Sequence, residues 1–419
     1  MEILSWESLK TAEKCAIQKA FREDCHSLDW VAPLNVEELS DFVCQVAAQK
    51  QSILPMGSGS KLGWGNLVNP VNYVLSTRKL NRLVDHAIAD LTITAEAGMK
   101  LADLQALLKP HRQFLPIDPA YSEQATLGGI MATGDTGSWR QRYGGIRDLV
   151  LGFSFVRWDG KIAKAGSRVV KNVAGYDLMK LFTGSYGTLG IISQITFRLY
   201  PLPETSQTLW LSGQAASVAT LAQQFLKSGL APTAADILSS DLAQSLHLGS
   251  EIGLLVRFQN IPESVQEQVK QLQVMAAAIA LNQRSFIEEE ERQLWQNLSS
   301  TMTVPKSEAE IICKIGVMPE QAVHFLQQYS GLGQIHLATG LGRLSLPELD
   351  WLQLSPQRLF CEKYRGFLTV LASSASLKEK FEPWGYSGNS LNIMRQLKYK
   401  FDPHHCFSPG RFWSDHPLD

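Results

Sequence analysis

Glycine is unevenly spread along this 419-residue chain, and its clustering constrains the fold more than any other feature of the sequence. The glycines concentrate in the first half, at 57–65, 128–145 and 184–190, and become sparse after about residue 205. Glycine allows positive φ and lets a backbone approach a ligand closely. Three such clusters predict a domain whose turns surround a bound group, followed by a second domain of different character.

The composition is that of a globular protein, with 45% apolar and 19% charged residues. The 39 basic and 40 acidic side chains nearly cancel, which argues against a general nucleic-acid-binding protein. The N-terminus lacks the apolar run of a signal peptide, and no stretch of about 18 apolar residues occurs. We therefore expect a cytoplasmic protein that reaches a membrane only peripherally, through its partners.

The six cysteines are scattered, and none forms a CxxC pair. In a cytosolic chain such thiols are expected to be buried and reduced rather than disulfide-bonded. Iron–sulfur clusters need closely grouped thiolates, so any cluster that accepts electrons from this chain is expected in another chain. No metal site is predicted, because the spacing of Asp402, His404, His405 and Cys406 does not match a ligand set.

Two prolines in the segment 199–206 (LYPLPETS) mark a domain boundary. Before it, apolar periodicity predicts helices at 36–49 and 100–108 and strands at 91–97 and 188–200. After it, strands that alternate with helices predict an antiparallel sheet with helices on one face. The strands predicted there are 207–212, 251–258, 309–316, 334–339 and 366–372, and the helices are 215–227, 263–280, 288–298, 319–329 and 388–400. The predicted class is α+β.

The first glycine cluster, 55–63, reads Pro-Met-Gly-Ser-Gly-Ser-Lys-Leu-Gly. Successive backbone N–H groups in such a turn form an anion-binding concavity that suits a pyrophosphate. The segment does not match the GxxxxGK[ST] pattern of P-loop proteins or a GxGxxG that opens a helix. By itself it fits an ordinary flexible loop equally well.

The second cluster begins with Asp118-Pro119 and continues through two runs of small residues, 125–129 and 132–137. Small residues at this density form narrow backbone channels that a flat ring or a phosphate can enter. Thr126 and Thr133 add hydroxyl donors. A run of tight turns between strands is the alternative interpretation.

The third cluster combines 171–178 (KNVAGYDL) with the glycine turn 184–190. Basic, amide and phenol side chains precede a helix-like stretch, and the turn then opens a buried strand. A helix–turn–strand connection without a ligand would also give this pattern.

The order of these clusters, PxGxGSK, DPxxxxxATLGG and KNVAGYDLxKLFTGSYGTLGII, resembles the FAD-binding domain shared by vanillyl-alcohol oxidase and p-cresol methylhydroxylase (PCMH). Within that superfamily the chain is most similar to the smaller FAD-binding subunits of glycolate oxidase, the GlcE type. The likeness covers 50–200 and returns at 401–411, where FDP and SPGR resemble the ending of flavin-linked hydroxy-acid oxidases. It implies a PCMH-type FAD-binding domain of two subdomains at 1–205, an antiparallel-sheet-plus-helices cap domain at 206–390, and a C-terminal segment, 391–419, that returns to the FAD domain.

The resemblance also implies the cofactor and its contacts. Noncovalent FAD is expected, because 55–66 contain no histidine of the kind that often attaches the flavin in this superfamily. The first cluster would surround the pyrophosphate, the second the isoalloxazine and ribityl groups, and the third the adenine half. The cofactor-binding residues expected by position are Pro55, Met56, Gly57, Ser58, Gly59, Ser60, Lys61, Leu62, Gly63, Asp118, Pro119, Ala125, Thr126, Gly128, Gly129, Ala132, Thr133, Gly137, Gly187, Thr188, Gly190, Ile191 and Ile192.

The function implied is that of an FAD-binding subunit in a glycolate dehydrogenase (glycolate oxidase) complex that converts glycolate to glyoxylate. A larger catalytic flavoprotein subunit and an iron–sulfur subunit would be its partners. This role is favoured because the HxGDGNxH segment of many catalytic relatives does not occur here. The alternatives are a self-sufficient FAD-dependent 2-hydroxy-acid dehydrogenase and a non-redox assembly subunit. No catalytic residue is assigned, and the candidates are Lys171, Tyr176, His336 and Arg411, although a lone strand histidine is more often structural.

Overall fold

The computed structural model describes residues 1–21, 28–167, 177–307, 309–386 and 390–413. The chain divides into two compact units. The first unit comprises Met1–Thr136, Gly144–Leu202 and Lys378–Asp419, and the second comprises Gly137–Tyr143 and Pro203–Leu377. The mixture of helices and sheets in both units confirms the predicted α+β class. No helix in the described ranges has the length and apolar character needed to cross a membrane.

The first unit contains two main sheets and a short two-stranded ribbon among its described residues. A four-stranded sheet has the order β1-β2-β4-β3, in which β2, β4 and β3 are parallel, and a five-stranded antiparallel sheet has the order β5-β6-β10-β8-β9. The strands are β1 (Glu2–Ser5), β2 (Asp29–Ala32), β3 (Ile53–Met56), β4 (Tyr73–Ser76), β5 (Leu83–Ala87), β6 (Thr92–Glu96), β7 (Gln113–Phe114), β8 (Val150–Val156), β9 (Ile162–Gly166), β10 (Ile191–Arg198) and β11 (Tyr200–Pro201). Because β3 and β4 are parallel neighbours, the loops that follow Met56 and Ser76 begin side by side.

Helix α2 shows how the sequence specifies these elements. The Asn35 side chain accepts a hydrogen bond from the Glu38 N–H group at 2.8 Å, which caps the helix, and Leu39, Val43 and Val46 are buried at helical spacing. In chain order, the helices of the described ranges are α1 (Thr11–Gln18), α2 (Val36–Ala48), α3 (Leu101–Leu108), α4 (Leu127–Thr133), α5 (Arg140–Tyr143), α6 (Ile146–Leu149), α7 (Leu178–Phe182), α8 (Ala215–Leu226), α9 (Ser240–Ser245), α10 (Pro262–Ala277), α11 (Glu288–Thr303), α12 (Ala322–Gln328), α13 (Leu354–Lys363), α14 (Ala375–Lys380) and α15 (Ser390–Phe401).

The C-terminal segment packs against β3 of the first unit. The Ile53 N–H group donates to the Cys406 carbonyl at 2.7 Å, and the Ser408 N–H group donates to the Ile53 carbonyl at 2.9 Å. A buried ion pair holds this segment in place, with Lys398 Nζ 2.5 Å from Asp402 Oδ2. Residues that lie more than 350 positions after β3 in the sequence therefore complete the edge of the sheet that precedes the first glycine cluster.

The second unit is built on one antiparallel sheet of eight strands within the described residues, in the order β15-β12-β14-β13-β17-β18-β16-β19. One core groups Trp210 of the sheet with Leu242 of α9 and Leu294 of α11. Helices α8 and α10 pack against β12 and β14, whose alternate residues, including Leu209, are fully buried. Helices therefore cover both faces of the sheet, and the prediction of helices on one face was wrong. The strands are β12 (Thr205–Ser212), β13 (Ala234–Leu238), β14 (Gly253–Asn260), β15 (Asn282–Ile287), β16 (Glu310–Gly316), β17 (Leu332–His336), β18 (Leu341–Pro347) and β19 (Phe367–Ala372).

The domain bounds expected from the sequence, 205 and 390, differ from the limits of the two units. Lys378–Asp419 lies with the first unit, because the Lys378 ammonium donates to the Gly63 carbonyl and the indole of Trp384 packs on Gly65. The short segment Gly137–Tyr143 lies with the second unit, where α5 packs on β13.

Replacing Asp402 by Asn should lower the free energy of unfolding by about 3–5 kcal/mol, because it leaves the buried Lys398 ammonium without its counterion. Asp402 also accepts hydrogen bonds from the N–H groups of Cys406 and Phe407, at 2.9 and 2.8 Å. The turn that leads into the residues paired with β3 should therefore loosen as well. Urea unfolding followed by circular dichroism measures the effect. Asp90→Asn, at an exposed turn of the same unit, is the control and should change the value by less than about 0.5 kcal/mol. Equal stability of the two variants would contradict the anchoring role of the pair.

Candidate functional site

A cavity in the first unit encloses about 790 Å³ of empty space, open solvent included. Pockets for small molecules and cofactors commonly measure about 300–1,000 Å³. All three glycine clusters contribute to its wall, together with the C-terminal segment. The lining residues are Leu54, Pro55, Met56, Gly57, Ser58, Gly59, Ser60, Lys61, Leu62, Thr77, Ala125, Thr126, Gly128, Gly129, Ala132, Thr133, Tyr186, Gly187, Gly190, Ile191, Ile192 and Arg411.

The absence of a side chain at Gly57 is a steric requirement of this site. A Cβ atom there would lie 1.9 Å from Thr126 Oγ1, so the two segments approach as closely as they do only because residue 57 is glycine. The Ser76 hydroxyl donates to the Gly57 carbonyl at 3.2 Å, and the Thr77 hydroxyl donates to the Met56 carbonyl at 3.3 Å. The residues that follow β4 thereby fix the start of the loop that follows β3.

The loop after β3 has the features of an anion site. The backbone N–H groups of Ser58, Gly59 and Ser60 have no hydrogen-bond acceptor among the described residues. The Ser58 hydroxyl is buried and also lacks a partner there. Buried polar groups are normally hydrogen-bonded, so these donors indicate that a ligand with several acceptor atoms belongs against the loop.

The loop lysine is already neutralised by the protein. Lys61 Nζ lies 2.8 Å from Asp135 Oδ2, and both side chains are buried. The same carboxylate accepts the Ala120 N–H group at 2.8 Å. The ion pair therefore connects the first glycine cluster to the second. Because Asp135 neutralises Lys61, other groups must attract a bound anion.

The two threonines of the second cluster serve helix α4. Thr126 caps the helix, with Oγ1 accepting the Gly129 N–H group at 3.3 Å. The Thr133 hydroxyl donates to the Gly129 carbonyl at 2.8 Å, so its proton is used inside the helix. A ligand contact at the Thr133 hydroxyl stays a prediction, and a ligand there would compete for this proton with a helix carbonyl one turn earlier.

Two cations from the part of the first unit that follows the second unit in sequence, Lys378–Asp419, lie at or beside the cavity. The Arg411 guanidinium donates to the carbonyls of Trp64 and Asn66, at 2.9 and 2.7 Å, and burial lowers the pKa of Arg411 to about 10. The Lys378 ammonium donates to the Gly63 carbonyl. Burial, followed by the repulsion of Arg411, lowers the pKa of Lys378 to about 7.

The structure brings most of the residues expected at the cofactor together around this cavity, and Arg411 joins them. Thr77, Leu54 and Tyr186 also line it and were not expected, although Tyr186 stands between two glycines of the third cluster and has a positive φ of 51°. The residues that were expected but do not line the cavity are Gly63, Asp118, Pro119, Gly137 and Thr188.

Two of these five residues make hydrogen bonds elsewhere in the protein, and a third lies in the second unit. Gly63 offers its carbonyl to Lys378, and the Thr188 hydroxyl donates to the Ser185 carbonyl at 2.7 Å. Gly137 belongs to the second unit. Lys171 and Tyr176, two of the four catalytic candidates, lie outside the described residues.

His336, the third of the four candidates, is part of a buried polar network in the second unit. Its Nδ1 lies 2.6 Å from Oδ1 of Asp236, which is fully buried on the neighbouring strand β13. The other carboxylate oxygen of Asp236 accepts hydrogen bonds from the Ser138 hydroxyl at 2.5 Å and from the Gln334 amide at 2.9 Å. His336 Nε2 has no hydrogen-bond partner in the described part of the chain. A histidine oriented by a carboxylate in this way is suited to proton transfer at Nε2.

Two cationic side chains share the face of the sheet that carries His336. Gln334 and His336 are two positions apart on β17 and therefore point to the same face of the sheet. Arg343 of β18 lies opposite Gln334, and Lys314 of β16 lies opposite Arg343. The row combines a base, a carboxylate and two cations, which is a set of groups that fits an acidic substrate.

Comparison with known proteins identifies the ligand of the first unit. Residues 30–166 match the family model described as an FAD binding domain. The chain is 24% identical to glycolate oxidase subunit GlcD of Bacillus subtilis over 415 residues, which are 92% of this chain and 88% of that protein. It is 37% identical to glycolate oxidase subunit GlcE of Escherichia coli over 174 residues, which are 41% of this chain and 49% of that protein.

A solved structure, p-cresol methylhydroxylase with substrate bound, matches the whole of both chains with a TM-score of 0.73 at 14% identity. The predicted PCMH-type fold is thereby confirmed, and the predicted cofactor, FAD, is confirmed by the family match. The unpaired N–H groups at 58–60 and the buried Ser58 hydroxyl fit the diphosphate of that cofactor. The assignment of single residues to parts of FAD, and its noncovalent attachment, stay predictions.

Replacing Gly57 by Ala should weaken FAD binding about tenfold or more, because forcing a methyl group against Thr126 costs about 1–3 kcal/mol. Quenching of flavin fluorescence during titration of the apoprotein measures the dissociation constant. Gly229→Ala is the matched control, since an added Cβ at that exposed glycine meets nothing within 4 Å. Unchanged affinity in Gly57→Ala, with the fold intact, would show that the approach of these two segments does not shape the FAD site.

Proposed function

We propose that this FAD-dependent oxidoreductase with the p-cresol methylhydroxylase fold takes part in the oxidation of a 2-hydroxy acid, with glycolate as the substrate. The observation that carries the proposal is the glycine-walled cavity in a chain whose two compared relatives are both named as glycolate oxidase subunits. FAD, when bound, supplies the acceptor for the hydride that leaves C2 of the acid. The chain itself would hold the diphosphate at the N–H groups of 58–60, and Ser76 and Thr77 fix the loop after β3.

The role proposed first is that of the smaller, GlcE-type FAD-binding subunit of a glycolate dehydrogenase complex. The higher of the two identities, 37%, is to a protein of that name. A larger flavoprotein subunit that oxidises glycolate and an iron–sulfur subunit that accepts electrons are the proposed partners. The word subunit in the names of both relatives supports an assembly of several chains.

A second role, a self-sufficient 2-hydroxy-acid dehydrogenase, is favoured by the Asp236–His336 pair. Asp236 holds Nδ1 of His336, so that Nε2 can take the proton of the substrate hydroxyl. Arg343 and Lys314, on the same sheet face, are the proposed partners of the substrate carboxylate. This role needs no catalytic group from a second chain.

Anaerobic mixing of the purified, FAD-loaded chain with glycolate distinguishes the two roles. If the chain is a subunit, its flavin absorbance should persist with glycolate alone and disappear only when the larger flavoprotein subunit is added. If the chain is self-sufficient, glycolate alone should bleach the flavin, whereas ethylene glycol, which lacks the carboxylate, should not. A colourless chain that does not take up FAD, or a flavin reduced equally by both compounds, would refute the proposed function.

His336→Gln tests the second role directly. The loss of a general base should slow anaerobic flavin reduction by glycolate at least about 100-fold, with the absorbance spectrum of the bound flavin unchanged. His324→Gln, at an exposed position of α12, is the control and should reduce at the wild-type rate. A wild-type rate in His336→Gln would assign His336 to structure alone.

A further inference from the structure

Two buried cations hold the loop that borders the FAD cavity. The Lys378 ammonium donates to the carbonyl of Gly63, and the Arg411 guanidinium donates to the carbonyls of Trp64 and Asn66. These three carbonyls lie within four consecutive residues, directly after the stretch that lines the cavity. Arg411 also lines the cavity, whereas Lys378 is not among the lining residues and contacts the loop at the Gly63 carbonyl.

These cations have no counterion within the described part of the protein. Lys378 and Arg411 are 6% and 3% exposed, and no described carboxylate lies within 4.0 Å of either. The other buried lysines of the first unit differ in this respect, since Lys61 pairs with Asp135 at 2.8 Å and Lys398 pairs with Asp402 at 2.5 Å. Buried charges are normally paired, so an anion from outside the chain is the expected partner of Lys378 and Arg411.

The neighbouring elements do not supply that anion. Glu382 accepts the N–H groups of Trp384 and Gly385, at 2.9 and 2.6 Å, and thus turns its charge toward the backbone. Lys19, whose stem packs beside Gly63, adds a further positive charge. Among the described residues, the charged and titratable groups on the elements around Lys378 include Lys19, Lys61 with Asp135, Tyr186, Glu379, Lys380, Glu382, Tyr386 and Arg411.

We propose that Lys378 and Arg411 are the counterions of the FAD diphosphate, and that FAD binding is coupled to the uptake of one proton at Lys378 Nζ. The inference rests on the FAD site of the proposed function but not on its substrate. Arg411 meets the anion at the cavity wall, and Lys378 acts on it through the loop. Both residues are positioning groups for the cofactor and take no part in the redox step.

The direction of the pH dependence follows from linkage. In the apoprotein, burial and then the charge of Arg411 lower the pKa of Lys378 to about 7. A diphosphate favours the protonated ammonium, so the bound state holds this proton to higher pH. FAD affinity should therefore be highest below about pH 7 and fall as the pH rises, by roughly tenfold to thirtyfold between about pH 6 and about pH 8.5.

Isothermal titration calorimetry of the wild-type apoprotein with FAD measures the proton directly. Titrations near pH 8 in phosphate and in Tris, which have different ionisation enthalpies, should give heats whose difference corresponds to about one proton taken up. Near pH 6 the difference should vanish, because Lys378 is already protonated. This measurement requires no variant.

Two substitutions assign the proton to Lys378. Lys378→Met should remove both the uptake and the pH dependence of the dissociation constant, and should bind FAD about as weakly at pH 6 as the wild type binds it at pH 8.5. Lys378→Arg, which stays charged, should bind tightly at both pH values. Lys380→Met, at an exposed lysine of the same helix α14, should behave as the wild type does.

The apoprotein provides a second, independent readout. The pKa of Lys378 is depressed in the folded state from an ordinary value of 10.5, so the unfolded chain binds the proton more readily. The free energy of unfolding should rise as the pH rises above about 7, and Lys378→Met should lack this rise. Saturating FAD should abolish the rise in the wild type.

The outcomes separate this inference from the proposed function. Flat FAD affinity from pH 6 to pH 8.5 without proton uptake, or a slope that persists in Lys378→Met, would overturn the inference and leave the FAD site intact. If Lys378→Met weakened FAD binding by the same factor at every pH, Lys378 would only hold the loop in place, and the proposed proton uptake would be wrong. Failure of every variant and the wild type to bind FAD would instead refute the proposed function.

Discussion

The close approach of Gly57 to Thr126 is the constraint on which the architecture of the FAD-binding unit depends. Gly57 directly follows the parallel strand β3, and Thr126 caps helix α4. Any side chain at position 57 would push these segments apart. With glycine there, the loop N–H groups, the Lys61–Asp135 ion pair and the small residues of α4 form one continuous wall.

Charge in this unit is divided between two parts of the chain. The glycine loop contributes backbone donors and a lysine that the protein has already neutralised. Arg411 of the cavity wall and, in our proposal, Lys378 of α14 supply positive charge to a ligand. Trp384 fixes this arrangement, since its indole N–H group donates to the Arg411 carbonyl at 2.9 Å and its ring lies where a Cβ of Gly65 would be.

Local patterns predicted most of the residues that line the cavity, because each glycine cluster is formed by a few consecutive residues. The order of the three clusters then indicated the fold. Pattern reasoning missed features that depend on distant contacts: Arg411 and Asn66 are 345 positions apart, and Lys378 lies in the segment SLKEK, which is typical of an exposed helix. Strands β13 and β15 were missed for a similar reason, since AADIL is buried throughout and NQRSFI is exposed along a sheet edge, so neither alternates.

The second unit is inserted, in sequence, between two parts of the first. Because Ser408 pairs with β3 and Arg411 holds the loop after it, the FAD-binding unit remains incomplete on the ribosome until these residues, which follow the second unit in sequence, have emerged. The inserted unit has its own sheet and core and is made before that closure. Cofactor loading is thereby a late event in biosynthesis, because a residue of the cavity wall, Arg411, is made only after the whole inserted unit.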